Sequence, residues 1–410
     1  MAVSSPGTAA DQEASAGVDA PLRIRLAWLA ALSFASGFPF GLVNETLPVY
    51  LRTHGAGLVE IGLISAVSFP WTFKFVWAPL VDRVGSRRQW IVACLGGLTL
   101  LTLVLGTVEL GELARWFWLI LVLMVTLSAT QDVAIDAYTI EATSTRELGV
   151  ANSVRIAAYR VAMFTAGGLL IWLAGRHGWP ASFLVGAAMI GALTLAALFI
   201  PEPKRVVAAA VSIWEPLRAL LARPGIWAVA LFALLFKIDI YAMEPMTRPF
   251  WVDRGFTLEE IGAILTPGRI IATISGAVLG GLLTTRVGIF RGLWTLGIVQ
   301  ALSSLGYAAV ASVAASKPLI IMAALFENFA HGLGTAAFLA FLMSVCERRY
   351  AATQFAVLSA LLALSRTLAG GASGLLAENL GYARYFFLTF LLAIPAFALL
   401  PWIRGASRSR

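Results

Sequence analysis

Apolar runs of about twenty residues, interrupted by short polar punctuation, follow one another from Leu26 to Ile403. A run of that length is what a helix needs to cross a hydrocarbon layer of roughly 30 Å. The pattern predicts helices over 24–50, 58–81, 89–108, 116–142, 147–174, 181–200, 225–250, 258–284, 291–313, 318–346, 353–377 and 382–403. Twelve crossings make an all-α, polytopic membrane protein, because a segment inside lipid must satisfy its own backbone hydrogen bonds. Residues 1–22 hold Ala, Ser, Gly and acids without such a run and are expected to be disordered, and 405–410 form a short basic tail.

The pattern also repeats. A shift of 200 residues lays Gly55-x-x-Leu58-x-Glu60-Ile61-Gly62-x-Ile64 on Gly255-x-x-Leu258-x-Glu260-Ile261-Gly262-x-Ile264. A shift of 203 lays Leu80, Arg83 and Gly85 on Leu283, Arg286 and Gly288, while Asp82 falls on Thr285. Six helices are therefore the repeating unit. The expected domains are two six-helix bundles, 23–200 and 225–404, joined by a polar linker over 201–224 that contains Pro201, Pro203, Lys204, Arg205, Pro216 and Pro224.

Composition agrees with a membrane class. The chain is 59% hydrophobic and 13% charged, against roughly 45–50% and 25% in soluble domains. Its net charge of +8 would suit a nucleic-acid partner on a soluble protein. Here the basic residues sit between apolar runs, where the positive-inside rule accounts for them. Segments on the side that holds both termini carry 17 of the 30 Lys and Arg residues, among them Arg23, Arg25, Arg87, Arg88, Lys204 and Arg349. The opposite side carries seven: Arg52, Arg115, Arg176, Arg248, Arg254, Lys317 and Arg384. Both termini are thus expected in the cytoplasm. Cys94 and Cys346 suggest no disulfide framework.

The turn Ala78-x-Leu80-Val81-Asp82-Arg83-x-Gly85-x-Arg87-Arg88 resembles the helix 2 to 3 loop signature of the major facilitator superfamily, with Ala where Gly is usual. The resemblance implies two pseudo-symmetric bundles and secondary transport. It also makes Asp82, Arg83, Gly85, Arg87 and Arg88 a conformational latch whose repeat copy lacks the acid at Thr285. Phe73-Lys74-Phe75-x-Trp77-Ala78-Pro79-Leu80-x-Asp82 and Ser128-Ala129-Thr130-Gln131-Asp132-x-Ala134-x-Asp136 narrow the likeness, with Gly37-Phe38-Pro39-Phe40-Gly41, Tyr159-Arg160 and Ala352-Thr353-Gln354-Phe355-Ala356 in support. They resemble the peptide and acetyl-CoA transporter group, which holds AmpG-type muropeptide permeases, siderophore importers and eukaryotic acetyl-CoA transporters. Relative to the muropeptide permeases the loop Val84 to Ser86 is short and no extra C-terminal helix pair follows, which leans toward the siderophore branch.

Charges inside the predicted helices point to transport independently. Each costs at least about 2.5–3.5 kcal/mol to insert, so each is expected to be paired or to face water. Asp132 and Asp136 are four apart on one helical face, and the next helix returns with Arg155 and Arg160. Folding the hairpin near Thr145 predicts Asp136 with Arg155 and Asp132 with Arg160. The first pair is read as a structural lock or a coupling site, the second likewise. A carboxylate that loses its basic partner to an anionic solute takes up a proton more readily, which would couple transport to a proton gradient. Lys74 either reaches a cavity or snorkels to the headgroups. Glu45 follows the Gly37-x-Pro39-x-Gly41 weakness in the first helix, as a proton or solute group or as a surface carboxylate.

In the second half Lys237, Asp239, Tyr241 and Glu244 share one helix interrupted by Pro245 and Pro249. Lys237 and Asp239 are about 200° apart around it, so each needs a partner elsewhere. Glu327 and His331 are four apart and form either a proton relay or a buried hydrogen-bonded pair. Arg269 and Arg366 lack an acid nearby in sequence and are the leading anion-binding candidates, unless they pair with Glu45, Asp239 or Glu327. The candidate solute set is therefore Lys74, Arg160, Lys237, Tyr241, Arg269 and Arg366. The proton set is Glu45, Asp132, Asp136, Asp239, Glu327 and His331. Trp116, Trp118, Trp172, Trp179, Trp251 and Trp402 are expected as interfacial anchors, and Gly276-x-x-x-Gly280 and Gly370-x-x-x-Gly374 as close-packing sites.

Other classes fit poorly. Three histidines, His54, His177 and His331, with no HExxH, give no enzymatic constellation and no metal site, and no phosphate loop or cofactor motif is present. The expectation is a monomeric inner-membrane permease that imports an anionic solute with protons: a muropeptide first, a siderophore second, an acyl-CoA-like anion third. Its partners would be that solute, protons and the bilayer, with no nucleic acid. A non-transporting sensor on the same scaffold is the reading from a different class.

Overall fold

The computed structural model describes residues 21–107, 116–143, 147–202, 214–346 and 351–406. The expected disordered N-terminus to residue 20, Arg146, most of the linker, Arg348, Arg349 and the tail beyond 406 lie outside them. Among the described residues the structure is helical, without strands.

Among the described residues ten helices are long and apolar enough to cross a membrane. They include α1 Leu22–Thr53, α2 Leu58–Val76, α3 Arg87–Thr107, α4 Phe117–Ala142, α7 Ile226–Asp253, α8 Leu258–Val287, α9 Ile289–Ser312 and α10 Lys317–Val345. The other two, Val150–Ala197 and Val357–Arg404, have 48 residues each. At 1.5 Å per residue each would reach about 70 Å, over twice a bilayer core. Each instead turns back at a glycine, Gly178 at φ 82° and Gly381 at φ 71°. They therefore supply α5 (150–177), α6 (179–197), α11 (357–380) and α12 (382–404). Apart from α2, the helices begin and end within about three residues of the sequence expectation.

The repeat is visible in the backbone. Gly55 and Gly255 take φ 84° and 75°, and Gly85 and Gly288 take 65° and 86°. A side chain is strained in that region, which is why glycine stands at each equivalent turn. The helices after the first pair of turns start alike: Gly57 N donates to Glu60 Oε2 at 3.0 Å, and Thr257 N to Glu260 Oε2 at 2.8 Å.

By their contacts the residues form two compact units, Met1–Val43 with Phe73–Ala209, and Asn44–Thr72 with Ala210–Arg410. In the first, Gly37 and Gly41 admit α5: a Cβ on Gly37 would lie 2.7 Å from Tyr159 O, and one on Gly41 2.9 Å from the Ala166 methyl. The Gly-Pro-Gly stretch of α1 is thus a packing surface, and the irregular turn falls just after it, as a π-turn at Leu42–Thr46. In the second unit a Cβ on Gly62 of α2 would lie 2.6 Å from Gly374 N of α11. Cβ atoms on Gly276 and Gly280 of α8 would come within 2.9 Å of Phe329 C and 2.8 Å of Leu333 Cα on α10. Both small-residue motifs therefore act as expected. The core of this unit is aromatic, with Phe236 stacked on Phe338 at 5.0 Å and Phe232 edge-on to Phe341.

Candidate functional site

Two helices are broken where their charges sit. Pro70 cannot donate to Ala66 O, which leaves a gap in the helical ladder of α2, and Pro79, just past its end, cannot donate to Phe75 O. The chain turns at Ser68 just before Pro70, tightens to a 3₁₀ turn over Lys74–Val76, and resumes as a short helix Ala78–Arg83 that carries Pro79 in its first turn. Lys74 is placed by that turn against α4. Its Nζ stands 3.7 Å from Asp132 Oδ2 and 3.6 Å from Asp136 Oδ2, with 31% of the side chain exposed. Asp132 also accepts from Ser36 Oγ of α1 at 2.5 Å, and Asp136 from Arg155 Nη2 of α5 at 2.5 Å. Trp77 is tied alongside, Nε1 to Thr130 Oγ1 at 3.1 Å. Two cations and two carboxylates on α2, α4 and α5 of one unit, with Ser36 of α1 beside them, thus make a neutral, half-accessible cluster.

In α7 the helix stops at Leu235 and restarts at Ile238, leaving Lys237 in the gap. Lys237 is 2% exposed. Its ammonium donates to Gln300 Oε1 at 2.6 Å, Thr335 Oγ1 at 2.7 Å and His331 O at 3.3 Å. Gln300 then offers Nε2 to Asp239 at 3.4 Å, so one amide bridges the two charges that the helix separates. Gly334 leaves the room for it, since a Cβ there would overlap Gln300 Oε1. Nearby, Glu327 accepts from Asn328 Nδ2 at 2.7 Å.

A third set belongs to α1, α7, α8 and α11. The π-turn of α1 carries Glu45, whose carboxylate is gripped by Arg248 through both Nε, at 2.8 Å to Oε2, and Nη2, to Oε1. Arg269 Nη1 adds a contact to Oε2 at 3.3 Å. Arg248 is 2% exposed and Glu45 7%. Arg366 holds Glu244 at 3.1 Å and lies over the Tyr241 ring at 5.1 Å. Tyr241, Glu244, Arg248 and Arg366 line a small recess with Asn44 and Ser65.

At the 83–88 turn, Arg87 is the hub. It bonds Asp82 Oδ1 at 2.9 Å, Glu141 Oε1 of α4 at 2.9 Å and Val81 O at 2.9 Å, while its backbone N donates to Glu202 Oε1 at 2.9 Å. Close by, Arg25 forks onto Glu147 at 2.7 and 2.8 Å and reaches Ala142 O.

Comparison with known proteins fits this geometry. Residues 29–370 match the family model described as Major Facilitator Superfamily. The chain belongs to that superfamily. It is 34% identical to the anhydromuropeptide permease of Escherichia coli K12 over 389 residues, 92% of this chain and 79% of that protein. It is 27% identical to a Rickettsia conorii transporter designated AmpG 4, over 92% of this chain and 96% of that one. Among solved structures, a bacterial homolog of the human lysosomal transporter Spinster overlays with TM-score 0.74 at 18% identity, covering 94% of this chain and 96% of that one. A D-xylose-proton symporter overlays at 0.71 and 12% identity, covering 92% and 97%. These two share the fold. This major facilitator chain is therefore a multi-pass membrane transporter of a small molecule, as its sequence led one to expect, and not an enzyme.

Several expected partners of the transporter differ. Asp136 pairs with Arg155 as read from the hairpin, but Asp132 does not pair with Arg160, which is exposed on α5. The irregular turn in α2 brings Lys74 to Asp132 first. Arg248 is no surface loop residue: α7 continues through Pro245 and Pro249 to Asp253 and buries it. Arg269 and Arg366 do meet acids, Glu45 and Glu244, which lie more than a hundred residues away. Lys237, expected at a solute, spends its three donors inside the second unit. Asp82 bonds within its own turn, and the ties to α4 and to Glu202 run through Arg87. Trp251 and Trp179 are buried, and Trp251 lies beneath the Arg269 guanidinium at 5.3 Å. Trp116 and Trp402 are exposed near helix ends, as anchors should be.

Ser36, Glu141, Glu202, Arg248, Gln300 and Thr335 escaped the sequence reading. A signal existed for one of them. At the repeat shift of 203, Glu45 falls on Arg248, so equivalent positions of the two halves bear opposite charges. The same relation at a shift of 201 joins Arg52 to Asp253, bonded at 2.6 Å through both carboxylate oxygens.

Proposed function

We propose that this transporter imports a carboxylate-bearing anion of the muropeptide type together with protons across the inner membrane. The observation that carries the reading is Lys74 shared between Asp132 and Asp136 in a cluster that is neutral only with Lys74 counted. An anion that claims Lys74 brings one negative charge and leaves Asp132 with Ser36 as its remaining contact. One proton on that carboxylate restores neutrality, and solute and proton then move as one load. Arg155 stays with Asp136 and keeps α4 on α5 through the cycle. Likeness to a permease named for anhydromuropeptide supports that cargo over a siderophore. The excess of basic residues on one side supports cytoplasmic termini.

Uptake of labelled anhydro-muropeptide and of a ferric siderophore into the same proteoliposomes, with and without an imposed proton gradient, tests this. Gradient-dependent accumulation of the muropeptide is expected. Accumulation of the siderophore alone would replace the cargo, and accumulation indifferent to the gradient would remove the proton.

A further inference from the structure

Glu45 sits where a solute carboxylate would. Arg248 offers its Nε and Nη2 as a fork, the geometry that recognises a carboxylate through two parallel hydrogen bonds, and Glu45 fills it. Arg269 closes over the same carboxylate from α8 and still has a buried Nε without a partner. The set Arg248, Arg269 and Arg366 against Glu45 and Glu244 holds three cations and two acids. The recess lined by Asn44, Ser65, Tyr241, Glu244, Arg248 and Arg366 opens onto this set.

Glu45 also differs mechanically from the groups that bind it. It belongs to a π-turn, a one-residue insertion in the helical ladder that commonly marks a functional site. Beyond that turn, α1 from Leu47 to Thr53 is held to α7 by the second repeat-related pair, Arg52 with Asp253, which is partly exposed and weaker for that reason. Arg248 and Trp251 are buried on the α-helical stretch Ile238–Asp253 of α7, which carries Pro245 and Pro249, and Arg269 lies on the α-helical stretch Thr266–Val287 of α8, after the π-turn Ile261–Leu265. Of the two sides of the ion pair, Glu45 is the one that stands within a π-turn itself.

We propose that Arg248 and Arg269 form a carboxylate-binding site for which Glu45 is an internal competitor, so that a solute carboxylate displaces Glu45 and thereby frees the 44–53 end of α1 from α7 and α8. The inference rests on the anionic-solute reading above. It assigns Arg248 as a specificity residue and Glu45 as the group that converts binding into movement. A ligand shifts a conformational equilibrium only through such differential contact. While Glu45 holds the fork, apparent affinity for the solute is reduced by the fraction of time the site is free.

The test uses the full chain in nanodiscs, with citrate and N-acetylalanine as simple carboxylate probes beside anhydro-muropeptide. Glu45→Gln removes the competitor's charge, and Kd for a bound carboxylate is expected to fall about tenfold while transport slows. A thiol placed by Pro48→Cys should become more reactive when carboxylate is added to the otherwise wild-type protein, and should be reactive without it in the E45Q background. Should E45Q not fold, Glu45→Asp, one methylene too short to keep both contacts, is expected to lower Kd in the same direction. Equal Kd values in the two proteins, labelling indifferent to carboxylate, or no stabilisation of either protein by any carboxylate each overturn the proposal. If muropeptide uptake is normal and Kd is unmoved by E45Q, the lock fails and the cargo stands. If uptake is absent but citrate binds E45Q more tightly, the lock stands and the cargo fails.

Discussion

Replacing Lys74 by Met removes the cation that Asp132 faces and leaves that carboxylate with the Ser36 hydroxyl. At 3.7 Å and an effective dielectric of about 20, the attraction is about 4.5 kcal/mol before solvent screening. Because the lysine is nearly a third exposed, about 1–2 kcal/mol of it is expected to survive. That corresponds to about 5- to 30-fold in apparent affinity for an anionic solute. Asp136 is largely spared, since Arg155 remains on it at 2.5 Å. The assay is proteoliposome uptake, comparing gradient-driven accumulation with solute exchange in the absence of a gradient. Lys74→Met should raise KM for exchange by that factor and lose accumulation. Lys74→Met with Asp132→Asn, again neutral, should regain exchange without regaining gradient dependence. Accumulation by Lys74→Met with KM within about twofold of wild type would refute the charge-exchange reasoning.

Arg248→Met leaves the buried Glu45 with the longer Arg269 contact, and breaking one side of a buried pair costs about 3–5 kcal/mol; the melting temperature in detergent should fall, and Glu45→Gln added to it should restore part of the loss. Gly276→Val places methyl groups inside the Phe329 backbone, an overpacking expected to cost at least about 1–3 kcal/mol, read as reduced recovery of monodisperse protein in size-exclusion chromatography. Arg87→Lys keeps the charge but cannot reach Asp82, Glu141 and Val81 O together, so uptake should fall severalfold although Lys is nominally conservative. Cys94 and Cys346, both buried, should resist a polar maleimide until the protein is denatured.

What the sequence by itself determined is what short-range rules govern. Water exclusion demands about twenty apolar residues per crossing, so α1 to α12 could be counted from hydropathy. A left-handed backbone demands glycine, so Gly55, Gly85 and their copies at Gly255 and Gly288 marked equivalent turns. Asp136 with Arg155 was legible because a short hairpin fixes its own register. Partners on helices distant in the chain were decided only by the tertiary structure, through the rotation of each helix about its axis. That rotation changes at breaks that hydropathy does not reveal. One extra residue in a π-turn re-aims everything after it by about 100°, and the 3₁₀ turn at Lys74 does the same in the opposite sense. So Asp132 met Lys74 and not Arg160, Glu45 met Arg248 at a separation of 203 residues, and Lys237 found the neutral Gln300, which no charge pattern announces.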